Sequence, residues 1–83
     1  MLIFSQNRKA IINCFEYLNI QPSEEYLTGK KMFSIYANFG KEAKWLGNYF
    51  ELYKAQDVFY EIMKKAEVGN RVYYMPEEWE NDL

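Results

Sequence analysis

The sequence predicts an α+β fold: an antiparallel sheet of about five or six strands, strongly curved or partly closed, with one long amphipathic helix packed on one face. Three observations carry this expectation. Residues 31–39 alternate side chains with the two-residue period of a strand, and residues 51–68 carry an apolar stripe with the period of a helix. The strand-like segments precede the helix instead of alternating with it, a segregation that suits an antiparallel sheet covered on one face.

The chain has 83 residues, enough for one domain. A domain of this size buries roughly 60–65% of the surface exposed by its unfolded chain, so its core must be dense in large side chains. Hydrophobic residues at 49% and aromatics at 19% supply them, and 4 Gly with 2 Pro argue against low complexity. A single domain is expected over residues 1–76, followed by an acidic tail, 77–83, that frays.

Leu2 to Ser5 reads as a short strand, Gln6-Asn7-Arg8 as a polar turn, and Lys9 to Asn13 as the returning strand of a hairpin. Ile11, Ile12, Phe15 and Leu18 also fit a helical stripe, but Ile, Phe and Tyr with Asn13 and Asn19 favour two short strands kinked near residues 13–16. Residues 21–30, with Pro22, Ser23, Glu24, Glu25, Thr28 and Gly29, read as a loop pinned to the core by Tyr26 and Leu27. In the strand 31–39, Phe33, Ile35, Ala37 and Phe39 share one side, and Met32, Ser34, Tyr36 and Asn38 the other. Gly40-Lys41 closes a hairpin into residues 42–50, where Ala43, Trp45 and Tyr49 share a face with Gly47, a glycine that hints at a bulge or a close backbone approach. The helical stripe is Leu52, Ala55, Val58, Phe59, Ile62, Met63 and Ala66; Lys64 and Lys65 suit the end of the helix dipole, Glu61 and Lys65 form an i,i+4 pair, and Gly69 suits the residue after the cap. Arg71 to Met75 reads as a closing strand, with Trp79 available to dock beyond it.

The residues that are missing restrict the chemistry. There is no His, hence no imidazole for acid–base work, no Ser–His or Cys–His pair, and no common nitrogen ligand for zinc. Cys14 is the single cysteine, which excludes an intramolecular disulfide and reads as a small core residue. No glycine-rich phosphate loop occurs, and the carboxylate pairs Glu24-Glu25 and Glu77-Glu78 fall in segments read as loops. No enzyme activity, cofactor or metal is expected. The opening apolar run is too short for a secretion signal and no segment approaches the length of a membrane span, so a cytoplasmic address and no membrane partner are expected.

Net charge is −2, and the last seven residues hold four of the twelve acids and no base, leaving residues 1–76 at ten basic against eight acidic side chains. Such a chain is a poor attractant for nucleic acid. Eight Tyr, six Phe and two Trp exceed what one helix–sheet core needs, and Tyr and Trp are favoured anchors of protein interfaces. Tyr49, Phe50, Tyr53, Tyr60, Tyr73 and Tyr74 cluster about the helix and its flanking strands. Tyr53, Tyr60, Tyr73 and Trp79 are the candidate partner-binding residues, with Tyr53 and Tyr60 first because they lie off the apolar stripe. A homodimer is the expected state.

The opening Ile3-Phe4-Ser5-Gln6-Asn7-Arg8-Lys9-Ala10-Ile11-Ile12-Asn13, the Gly-Lys hairpin turn, and Leu46-Gly47-Asn48-Tyr49 leading into the helix resemble small uncharacterised proteins of Gram-positive bacteria and their phages and prophages. Cys14-Phe15-Glu16-Tyr17 departs from the polar turn usual there. The resemblance implies a phage- or mobile-element-related cytosolic protein, and no functional residues are carried over from it. The function expected is therefore a small non-enzymatic protein-interaction module that modulates a host or phage protein. The alternative is a single-stranded nucleic-acid-binding module built on Lys31, Tyr36, Lys44 and Trp45, with Lys30 and Lys41 nearby. A small-ligand pocket inside the curved sheet is a third reading.

Overall fold

The computed structural model describes residues 1–13 and 15–78. Among them the order is β1 (Leu2–Phe4), β2 (Ile11–Ile12), β3 (Tyr17–Glu24), β4 (Lys31–Phe39), β5 (Glu42–Tyr49), α1 (Leu52–Glu67) and β6 (Val72–Tyr74). The α+β class and the six strands match expectation, but one curved sheet does not form. The strands make two open three-stranded sheets, β2-β1-β6 and β3-β4-β5. The first is mixed, because β6 lies parallel to β1. Among the described residues the sheets do not close, so the ligand pocket expected inside one curved sheet does not form.

The β1–β2 hairpin forms, with Ile3 opposite Ile12 and Phe4 opposite Ile11. Its turn is built by side chains: the Ser5 hydroxyl donates to Asn7 Oδ1 at 2.8 Å and accepts from the Ala10 amide at 3.1 Å. The residue that takes the left-handed conformation is Arg8 (φ 61°), whose guanidinium donates to the carbonyls of Ser5 and Met75 and so ties the turn to the end of β6.

The expected loop over residues 21–30 is corrected to Glu25–Lys30, because β3 extends through Pro22 to Glu24. At the edge of its sheet β3 tolerates the missing proline N–H. The remaining loop is closed by its own backbone, with the Glu25 amide donating to the Lys30 carbonyl. It is not pinned by Tyr26 and Leu27, which are 96% and 88% exposed.

The expected bulge is present between Ile35 and Tyr36 opposite β5. It moves Trp45 opposite Tyr36 on one face while Tyr49 lies opposite Phe33 on the other, so Trp45 and Tyr49 do not share a face as expected. The inserted residue, Leu46, is fully buried. Gly47 also meets the second expectation for it: a Cβ there would sit 3.2 Å from Gln6 Cβ and 3.2 Å from the Tyr49 hydroxyl.

Gln6 joins the sheets. Its amide N–H donates to the Leu46 carbonyl at 2.6 Å, its side-chain nitrogen donates to the carbonyls of Asn48 at 2.9 Å and Pro76 at 3.2 Å, and its side-chain oxygen accepts from the Asn48 amide at 3.0 Å. The side chain thus satisfies the open edge of β5 as another strand would.

One core lies between both sheets and the helix: Ile3, Ile12 and Tyr73 from one sheet, Ile35, Ala37, Leu46 and Tyr49 from the other, and Ala55, Val58 and Ile62 from α1. Each large side chain fully buried there, such as Ile3, Ile35 or Leu46, contributes about 1.5–3 kcal/mol. The helix ends as its glycine predicts, since the Gly69 amide donates to the Ala66 carbonyl and the Asn70 amide to the Lys65 carbonyl, the paired bonds of a Schellman motif.

Gln6→Ala removes three side-chain hydrogen bonds and should lower the unfolding free energy by about 2–3 kcal/mol in urea titrations. Gly47→Ala should cost about 1–3 kcal/mol by overpacking against Gln6 and Tyr49. Burial pushes the phenols of Tyr49 and Tyr73 well above their ordinary value, aided by the charge of Glu78 on Tyr49 and by a hydrogen bond to Glu61 on Tyr73. Their unfolded forms ionise near pH ~10 while the folded forms stay neutral, so the stabilisation is complete below that pH and is lost above it. The Tm should hold up to about pH 10 and fall as the pH is raised beyond it, and fall less in a Tyr49→Phe, Tyr73→Phe variant.

Candidate protein-docking surface

Helix α1 lies across β4 and β5, and beyond its edge the same face of β3 is left half-buried at Leu18 and Ile20. The result is a groove of about 690 Å³ lined by Phe15, Leu18, Gln56, Phe59, Tyr60, Ile62, Met63 and Ala66. Its lining is apolar apart from the Gln56 amide and the Tyr60 hydroxyl. Among the described residues no His, Cys, Ser, Thr, Lys, Asp or Glu lines it.

The apolar stripe read from the sequence is only partly buried, which corrects its expected role. Ala55, Val58 and Ile62 are in the core, whereas Leu52 is 43% and Met63 52% exposed, and the main strand contacts of the helix are with β4 and β5. Of the candidate partner-binding residues, Tyr53 and Tyr60 are exposed on the solvent face of α1. Tyr73 is not available: it is 5% exposed within the core and its hydroxyl donates to Glu61. Glu61, expected to pair with Lys65, is the acceptor of that bond. Trp79 lies outside the described residues, as does Cys14. Sequence reasoning missed Met63, Phe15 and Leu18 as surface groups, having placed Met63 in the core and read Phe15 and Leu18 only as a competing helical pattern.

The residues of the nucleic-acid alternative are not brought together. Tyr36 and Trp45 face each other across β4 and β5, but Lys44 lies opposite Ala37 and Lys31 opposite Glu24, positions whose side chains alternate to the other face. Lys44 is 3.8 Å from Glu42, and Lys30 sits over the Phe50 ring at 4.2 Å. The face bearing Tyr36 and Trp45 carries a polar ladder instead. The hydroxyls of Ser23 and Ser34 are hydrogen-bonded at 2.8 Å, and Ser34 and the Trp45 indole both donate to Asn48 Oδ1. Asn38 donates to Asn19 Oδ1 on the same face.

A smaller cavity, about 280 Å³, lies between the other flank of α1 and the chain after β6, lined by Tyr49, Lys54, Asp57, Val58, Glu61, Pro76, Glu77 and Glu78. Two of its four acids, Glu61 and Glu78, serve the fold. Glu78 accepts from the Phe50 amide at 3.0 Å and from Lys54 Nζ at 2.9 Å, and Tyr49 donates to the Pro76 carbonyl at 2.8 Å. The segment expected to fray from residue 77 is therefore held as far as Glu78. Among the described residues no group of three or more His, Cys, Asp or Glu could hold a metal ion, and no helix is long and apolar enough to cross a membrane.

Neither a side-chain cap nor an acid in the first turn serves the start of α1. The carboxylate of Glu78 supplies that negative charge from across the chain. Glu78→Ala should lower stability by about 1–2 kcal/mol, with Glu78→Gln recovering part of the loss, in thermal or urea denaturation. Comparison of the chain with protein-family models, with curated proteins and with solved structures finds no match.

Proposed function

We propose that the chain is a non-enzymatic protein-interaction module whose docking surface is the solvent face of α1 with the groove beside it, and that the surface is occupied by a second copy of the chain. The observation that supports it is the groove itself. An apolar channel rimmed by Tyr60 and Met63, each more than half exposed, with Tyr53 a further exposed aromatic on the same helix, is costly to leave in water. Modulation of a host or phage protein by such a dimer is the biological role that the resemblance of the opening hairpin suggests.

Sedimentation equilibrium over a wide concentration range tests the reading. The parent should be dimeric, and a Tyr60→Ala, Met63→Ala variant should be a monomer with an unchanged far-UV spectrum. A parent that stays monomeric at millimolar concentration, or a dimer indifferent to these two substitutions, would overturn it.

A further inference from the structure

The exposed face of α1 carries a pattern that specifies how two copies meet. Tyr53, Tyr60 and Glu67 follow one another at seven-residue spacing and form the centre line of the face turned away from Ala55, Val58 and Ile62. Asp57 and Lys64 flank this line on one side, each four residues after a tyrosine. Gln56 and Met63 flank it on the other, each three residues after one. All of these side chains are exposed, and among the described residues neither Asp57 nor Lys64 belongs to an ion pair.

We infer that α1 packs antiparallel against α1 of a second copy, about a two-fold axis at Tyr60, in the register that sets Asp57 of each copy opposite Lys64 of the other. This rests on the reading of the surface as a docking site and adds its geometry. A two-fold axis perpendicular to both helices brings each flank against the same flank of the second copy with its direction reversed. With Tyr60 at the axis, Tyr53 then faces Glu67, whose carboxylate can accept from the phenol. Asp57 and Lys64, two turns apart on one flank, form two opposite-charge pairs. Gln56 meets Met63 on the other flank, at the rim of the groove.

The parallel alternative lacks this complementarity. It would place the charged flank against Gln56 and Met63 at the same height, leaving Asp57 and Lys64 unpaired and the two helix dipoles aligned. The antiparallel registers shifted by a half-turn either way move Asp57 away from Lys64. The charge pattern therefore selects both orientation and register.

Charge reversal tests the register by sedimentation equilibrium, with circular dichroism to verify folding. Asp57→Lys and Lys64→Asp should each weaken the dimer roughly tenfold by facing like charges. Combining them should restore dimerisation to within about threefold of the parent. A second measurement does not depend on tolerance of those charges: in a Cys14→Ser background, Tyr53→Cys mixed with Glu67→Cys should form an inter-copy disulfide on mild oxidation, and Tyr53→Cys alone should not. A dimer dispersed by Tyr60→Ala, Met63→Ala, yet with no rescue by the double reversal and with Tyr53→Cys cross-linking to itself, would overturn the register and leave the docking surface standing. A monomeric parent would overturn both.

Discussion

The side chain of Gln6 is the joint on which the rest of the structure depends. The sheet whose opening hairpin turn carries it is built from strands of three, two and three residues, too short to be stable in isolation. By presenting one donor and one acceptor to the edge of β5, Gln6 continues the hydrogen-bonding of the second sheet into the first. The same amide reaches the Pro76 carbonyl, which Tyr49 also engages, so the chain after β6 is fixed to the junction from both sheets. Gly47 is the counterpart of Gln6, since the amide occupies the space a side chain at 47 would need. The bulge that carries Leu46 into the core adjoins this contact. Sheet pairing, core filling and the placement of the segment leading to Glu78 are thus coupled at one place.

The coupling also shapes the surface. The chain after β6 lies beside one flank of α1, and the main strand contacts of the helix are with β4 and β5. Its apolar stripe is wider than the core it covers. The excess at Met63 and Ala66 emerges beside half-buried Leu18 and Phe15 as a groove. An apolar channel of this kind is a lasting cost in a monomer and a source of association energy in a dimer. The opposite face of the β3-β4-β5 sheet has no such excess. Its Ser23, Ser34, Asn48 and Trp45 satisfy one another through hydrogen bonds.

The carboxylates divide in the same way. Glu61 and Glu78, which a reading of composition would count as solvated acids, hold Tyr73 and the start of α1 respectively. Their use in the fold leaves Asp57 and Lys64 as the charges that mark the solvent face of the helix. A net charge of −2 says little about such a protein. Which charges are occupied by the fold, and which line an exposed face, is the informative quantity.

The amino-acid sequence by itself determined the local elements: the helix and its glycine stop, the β4–β5 hairpin about Gly40, the short opening hairpin, and the exposure of Tyr53 and Tyr60. These follow from periodicity and from backbone conformations that particular residues favour, interactions that span only a few positions. The tertiary structure alone decided that the strands divide into two sheets with β6 parallel to β1, that Pro22 sits in an edge strand, that Tyr73 is buried, that Met63 is exposed and that Lys44 and Trp45 point to opposite faces. Each of these depends on a contact between distant segments, such as Gln6 with β5, β6 with β1, or α1 with β4 and β5. Period and composition along the chain fix which side of an element is apolar; only packing in three dimensions fixes how much of that side finds something to cover it.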